Sequence, residues 1–232
     1  MATTTFIPSM LRGAGTRGVP LIPAGSSFTN DFSMNFDGID DYINFSSAIS
    51  LPGAFTLSAW IKPVSVTGNT CLIISSRTNN SNKIGTLGSN GLQIKLGGSI
   101  VYLTESGGNT FDLDVWQHLL ITRDSSNNIT AFRNGTSFGG SATNSNTGTY
   151  DSMGQFKNSN FLNSKLDEVA IFDSVQNVAT LYNSGIPGDL SSLSPLHWYR
   201  FEEGSGTTAI DSGTGGSNGI INGATYSTDV PS

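Results

Sequence analysis

The 232-residue chain has one cysteine, few charges and no long apolar run, and each shortage excludes something. With Cys71 alone there is no internal disulfide framework, and its place in the run Cys71-Leu72-Ile73-Ile74 reads as a buried thiol. Lys and Arg number only 11 against 17 Asp and Glu, a formal net charge of −6, and they form no cluster along the chain. A surface that follows nucleic-acid phosphates needs such a cluster, so no nucleic-acid partner is expected. No stretch approaches the roughly 20 apolar residues of a membrane span, and the N-terminus lacks the basic segment and apolar core of a signal peptide. No membrane partner is expected either. Catalytic side chains are equally scarce. Two histidines, His118 and His197, argue against a zinc site, and no Gly-x-Ser-x-Gly or cysteine-centred motif accompanies them.

What the chain has in excess is Gly, Ser, Thr and Asn, together close to half of it. Val, Ile, Leu, Phe and Trp recur between them at short intervals, so the excess marks many turns rather than disorder. Alternating segments predict strands at 32–36, 42–45, 55–63, 72–76, 91–96, 100–104, 116–123, 129–133, 166–172 and 196–201, with a last one near 219–226. The turn Asp37-Gly-Ile-Asp-Asp41 reads as the loop of a hairpin between the first two. Asn134-Gly135, Gly97-Gly98 and Ser125-Ser-Asn-Asn128 read as further hairpin turns. One helix is expected at 176–183, with Gly185 as its left-handed stop. Turns about every ten residues indicate an all-β, antiparallel sandwich or jelly roll rather than βαβ units.

Residues 1–31 differ from the rest. They carry three prolines, no acid up to residue 30 and no period of 2 or 3.6, which predicts an extended N-terminal arm ahead of a sandwich over 32–232. Phe6, Ile7, Leu11 and Leu21 give the arm apolar side chains to bury on a partner, and Arg12 and Arg17 suit an acidic partner surface.

Five segments occur in order: Phe36-Asp-Gly-Ile-Asp-Asp-Tyr-Ile-Asn-Phe45, Phe55-Thr-Leu-Ser-Ala-Trp-Ile-Lys-Pro63, Trp116-Gln-His-Leu-Leu-Ile-Thr-Arg123, Leu166-Asp-Glu-Val-Ala-Ile-Phe-Asp173 and Leu181-Tyr-Asn-Ser-Gly185. Together they resemble the concanavalin A-like laminin G/pentraxin jelly roll over about residues 32–230. Trp198-Tyr-Arg-Phe-Glu-Glu203 through Tyr226 resembles what usually opens such a domain, yet here it closes the chain. Two explanations stand: a permuted sandwich in which 196–230 completes the sheets, or the truncated start of a repeat. The permuted order behind a Pro/Gly arm resembles laminin G-like proteins of marine bacteriophage virions. That resemblance implies a virion-surface structural protein, a capsid decoration, cement or head-fibre protein. Its arm would hold the major capsid protein or another virion subunit, and display of this kind is compatible with a homo-oligomer. The alternative it implies is a calcium-assisted lectin or adhesin for host cell-surface glycan.

The fold resemblance also includes glycoside hydrolases, which need two carboxylates flanking one bond. The chain's glutamates, Glu105, Glu168, Glu202 and Glu203, form no Glu-x-Asp-x-Glu pattern, and on a strand Glu202 and Glu203 would face opposite ways, so no enzyme is expected. Asp37, Asp40 and Asp41 crowd a glycine-containing turn, which suits a hard cation. The resemblance implies calcium there, with Asp167 or Glu168 as a further ligand, while the same acids could instead cap turns. For carbohydrate, the candidate aromatic platforms are Tyr150 and Phe156, with Tyr102 and Phe161 beside them, whereas Trp60 and Trp116 read as core.

Overall fold

The computed structural model describes residues 28–66, 72–88, 91–107 and 110–232. The expected arm anchors Phe6, Ile7, Leu11, Arg12, Arg17 and Leu21, and Cys71, lie outside the described residues. Chain order runs β1 (Ser33–Asp37), β2 (Tyr42–Leu51), β3 (Phe55–Pro63), β4 (Leu72–Ser75), β5 (Lys83–Leu87), β6 (Gly91–Leu96), β7 (Ser99–Thr104), β8 (Gln117–Arg123) and β9 (Asn128–Arg133). It continues through β10 (Thr136–Thr143), β11 (Gly148–Met153), β12 (Gln155–Phe156), β13 (Asn160–Phe161) and β14 (Asn163–Phe172). Helix α1 (Val178–Tyr182), β15 (His197–Tyr199), β16 (Thr208–Ala209), β17 (Gly219–Asn222) and β18 (Thr225–Ser227) complete it.

Two antiparallel sheets face each other as a jelly-roll sandwich. The first runs β10-β9-β8-β3-β14-β1-β18, with β15 also on β14; the second runs β16-β17-β2-β11-β4-β5-β6-β7. Alternation supplies the core: Leu57, Leu119 and Ile121 of the first sheet and Ile43, Ile84 and Ile94 of the second are fully buried between them. Each such side chain contributes about 1.5–3 kcal/mol by leaving water. The Gly97-Gly98 and Asn134-Gly135 pairs have positive φ at both residues and close the β6–β7 and β9–β10 hairpins, as type I′ turns require. At one end of the sandwich the buried Arg123 guanidinium donates to the carbonyls of Gly53, Leu51 and Asn146, and so ties two loops together.

Two expectations need correction. β1 and β2 are not a hairpin: β1 pairs with β14 and β18, and β2 with β11 and β17, so the Asp37–Asp41 turn arches from one sheet to the other. Both strands alternate, but alternation records which face is buried and not which neighbour is paired. The helix also ends earlier than expected. Asn177 caps its N-terminus by accepting from Thr180 N, and the left-handed stop falls at Asn183 (φ 46°), two residues before Gly185, because asparagine tolerates that region.

A smaller apolar cluster lies on the outer face of the first sheet. Leu120, Ala170, Phe172 and Trp198 are covered there by Leu181 of α1 and by Leu190, with Phe28 packed alongside. Trp60, buried as expected, belongs to this face, where its ring meets His118 and Tyr182. Four strands after residue 196 enter both sheets: β15 on β14 and β18 on β1 in one, β16 and β17 at the β2 edge in the other.

Candidate functional site

Strand β15 positions the site. Ala170 pairs with Trp198, which sets the indole on the outer face of the first sheet, and its Nε1 donates to Glu168 Oε2 at 2.5 Å. Glu168 Oε1 accepts from Arg200 Nε at 3.2 Å. The Arg200 guanidinium is held from both sides, its carbon 4.6 Å from the centre of the Phe28 ring and 5.1 Å from that of Trp198. A further Arg200 N–H donates to the Thr29 carbonyl. Cation–π stacking and a buried carboxylate therefore fix a side chain that is usually mobile.

Glu168 reaches this place through a bulge. The β14–β3 register shifts between Asp167 and Ala170, and Glu168 takes a left-handed φ of 46°, which puts two successive carboxylates on the covered outer face of the first sheet. Burial pushes Glu168 up to about 7, with Arg200 opposing the shift. Burial, then the neighbouring Glu168, likewise raises Asp167 well above the usual carboxylate range, although Asn30 Nδ2 (3.0 Å) and Glu168 N (2.8 Å) donate to it.

Above this base lies a groove. A cavity of about 450 Å³ is bordered by Phe28, Asp189, Ser191, Trp198, Arg200 and Ser212. An adjoining one of about 280 Å³ shares Arg200 and Ser212 and extends to Glu202, Glu203 and Ile210. The groove's second wall is the segment just before β1, seated by bonds from Asp31 N to Glu202 Oε1 (3.0 Å) and Phe32 N to Glu202 Oε1 (3.1 Å). Residues 28–31, the end of the expected arm, thus pack on the sandwich. Glu202 and Glu203 line the same groove rather than opposite faces, because the chain leaves β15 at Tyr199 and turns through a left-handed Phe201. The loop behind is ordered by buried Asp211, which accepts from Trp198 N, Gly213 N, Ser217 N and His197 Nδ1. Burial alone would raise Asp211, but these bonds outweigh it and hold it low.

The acidic candidates divide. Asp37, Asp40 and Asp41 each bring a carboxylate oxygen within 4.8 Å of the others at the β1–β2 arch. Asp41 is buried there and its carboxyl is raised, chiefly by burial; its Oδ2 accepts from Asp37 N at 2.9 Å. Three carboxylates in one concave turn fit a hard cation. Asp167 is not among them, being enclosed by β3 and Asn30. Of the aromatic candidates, Tyr150 is fully buried between the sheets and Phe156 is 3% exposed beneath Lys83, so neither offers a face to a sugar. Both lie in strands, Tyr150 in β11 and Phe156 in β12, at buried positions. Tyr102 is exposed, and Phe161 half-buried. Phe28, Asp189, Arg200 and Ser212 were not singled out from sequence; Trp198-Tyr-Arg200 beside Glu202-Glu203 was the available signal.

Residues 37–181 match the family described as the concanavalin A-like lectin/glucanases superfamily. No curated protein matches the chain. Among solved structures, a protein from Bacteroides ovatus ATCC 8483 described as carbohydrate-binding is similar over 88% of this chain, at 20% identity and a TM-score of 0.67. The chain spans 62% of that protein's length. A heptameric SAP-like pentraxin from Limulus polyphemus is similar over 66% of this chain and 81% of its own, at 15% identity and a TM-score of 0.52. Among the described residues no helix is long and apolar enough to cross a membrane.

Proposed function

The chain belongs to the concanavalin A-like lectin/glucanases superfamily, and from that premise we propose that it is a non-enzymatic carbohydrate-binding protein whose glycan occupies the Arg200 groove. The arrangement at Arg200 carries the reading: a guanidinium fixed between two aromatic rings, with Asp189, Ser191 and Ser212 beside it in one open cleft. Sugars offer apolar C–H faces to rings and hydroxyls to fixed polar groups. Because Arg200 is paired with Glu168 while Asp189, Glu202 and Glu203 line the wall, the groove suits an uncharged glycan. The glutamates support a binding role, since each carboxylate is engaged: Glu105 by Arg133, Glu168 by Trp198 and Arg200, Glu202 by Asp31 and Phe32, Glu203 by Ile210 and Tyr226. Calorimetric titration with a panel of neutral oligosaccharides tests it. Asp189→Ala and Ser212→Ala should each weaken binding about tenfold, and binding equal to the parent would overturn the groove.

In the same reading, Asp37, Asp40 and Asp41 hold a calcium ion at the sandwich rim, with terbium luminescence and its loss in Asp40→Asn as the check. A second reading concerns attachment. The basic, apolar and proline-containing composition of residues 1–31 favours an arm that seats the sandwich on a phage capsid or other virion subunit. Rebinding of the full chain, but not of a chain lacking 1–27, to particles stripped of this protein supports it, and equal rebinding by both overturns it.

A further inference from the structure

The five lysines of the chain divide by their partners. Lys62 and Lys165 share the Asp229 carboxylate, at 2.7 and 2.8 Å. Lys83, Lys95 and Lys157 pair with no carboxylate among the described residues, and they gather at the outer face of the second sheet. Lys83 of β5 and Lys95 of β6 stand directly opposite each other in the antiparallel register, a placement in which like charges repel. They are 4% and 7% exposed. Lys157 follows Phe156 in the exposed turn between β12 and β13, and the Phe156 ring centre lies 4.7 Å from Lys83 Nζ.

The hydrogen bonding around these lysines is incomplete. Lys95 Nζ donates to Asn80 Oδ1 at 2.9 Å, whereas Lys83 has the Phe156 ring and no hydrogen-bond acceptor among the described residues. Arg77 adjoins the same turn through its backbone, its carbonyl accepting from Asn158 N, while its guanidinium lies over the Tyr42 ring, 5.3 Å from the ring centre. Asp151 is engaged by the Arg77 backbone N–H at 2.6 Å. Gln93, two residues before Lys95 and on the same face, donates its amide N–H to the Tyr102 hydroxyl at 3.1 Å. Burial, then Lys95 and Lys157, lowers the Lys83 ammonium to about 8. Three ammonium groups thus gather beside one turn of a protein whose net charge is −6. Buried charges are costly unless a counter-charge meets them.

We infer that this face is a second binding site, in which Lys83, Lys95 and Lys157 receive the oxyanion groups of an acidic polysaccharide. An acidic saccharide supplies the counter-charge that these ammonium groups lack, and the family to which the chain belongs favours a saccharide as its carrier. Sulfate esters and carboxylates carry the same chemistry. The site goes beyond the Arg200 groove, which lies on the other sheet and is walled by acids.

The full chain is titrated at low ionic strength with dextran sulfate, polygalacturonate and uncharged dextran, alongside Lys157→Ala and Lys83→Met. The expected result is binding to one or both charged polymers and not to dextran, which also identifies the oxyanion. Affinity should fall with salt and drop about tenfold in each variant, while Asp189→Ala binds as the parent does. Lys83→Met keeps the buried stem; if it does not fold, exposed Lys157→Ala carries the test. Unchanged affinity in the folded variants, or no binding to either charged polymer, overturns the site. So does loss of binding only in Arg12→Ala/Arg17→Ala, or equal affinity for duplex DNA. None of these results bears on neutral-glycan binding, which reads the groove separately.

Discussion

Replacing Gly223 with alanine tests whether the acidic arch is built to close tolerances. Gly223 lies between β17 and β18 at φ 78°, and a Cβ placed there falls 2.1 Å from Asp41 Oδ1. The left-handed conformation costs an L-residue about 1–2 kcal/mol by itself. The Asp41 carboxylate must also move, which releases the bond it accepts from Asp37 N and costs a further ~1.5 kcal/mol or more. Together these amount to about 3 kcal/mol, or a fall in Tm of about 6–12 °C for a domain of this size. Gly216→Ala is the control, because Gly216 is also left-handed (φ 65°) but has nothing within 4 Å of a built Cβ. It should lose only the strain component, about 2–8 °C. Differential scanning calorimetry of both variants, with and without calcium, separates the contributions. Millimolar calcium should raise the Tm of the parent and of Gly216→Ala but not of Gly223→Ala. Equal falls for the two variants would show that the Asp41 carboxylate shifts without cost, and would refute the argument that its position is held.

Other perturbations have equally defined outcomes. Burial would raise Asp229, but bonds from Lys165, Lys62 and Trp116 outweigh it and hold it at about 2. A depressed carboxylate stabilises the fold above pH ~4 and loses that contribution as pH falls toward 2. The group is 36% exposed, so after solvent screening Asp229→Asn should cost about 1 kcal/mol at pH 7 by urea titration, and a gap that persists at pH 2 would contradict this. Glu168 has the opposite sign. Its raised value of about 7 means that stability present below pH ~4.5 is lost as pH rises through 7, so the parent should melt higher at pH 5.5 than at pH 8, and Glu168→Gln should flatten that slope. The Tyr150 hydroxyl is buried with no partner among the described residues, so Tyr150→Phe should stabilise by about 1 kcal/mol, and a loss of stability would reveal a bond to that oxygen. Ile94→Ala in the fully buried core should cost about 2–5 kcal/mol in the same titrations, with a smaller loss indicating that the sandwich collapses around the cavity.

The elements that could be read from the chain are those whose cause is local. The Gly97-Gly98 and Asn134-Gly135 hairpins, the alternation of Phe55–Pro63 and the single helix follow from φ preferences and a period of two or 3.6, which a few neighbouring residues decide. The Asp37–Asp41 cluster was legible for the same reason, since one turn holds all three acids. Pairing was not, because β1 and β2 look like a hairpin until partners far along the chain, β14 and β18 for one and β11 and β17 for the other, claim them for different sheets. Nor were the sites. The groove joins Phe28 to Asp189, Trp198 and Ser212, and its base depends on a bulge that turns Glu168 toward Arg200. Lysines that form no cluster along the chain meet across β5, β6 and the β12–β13 turn. Composition and periodicity determined that this chain forms a sandwich of antiparallel strands. Only the tertiary structure decided which side chains share a surface, because burial at a distance is set by strand partners that no local window contains.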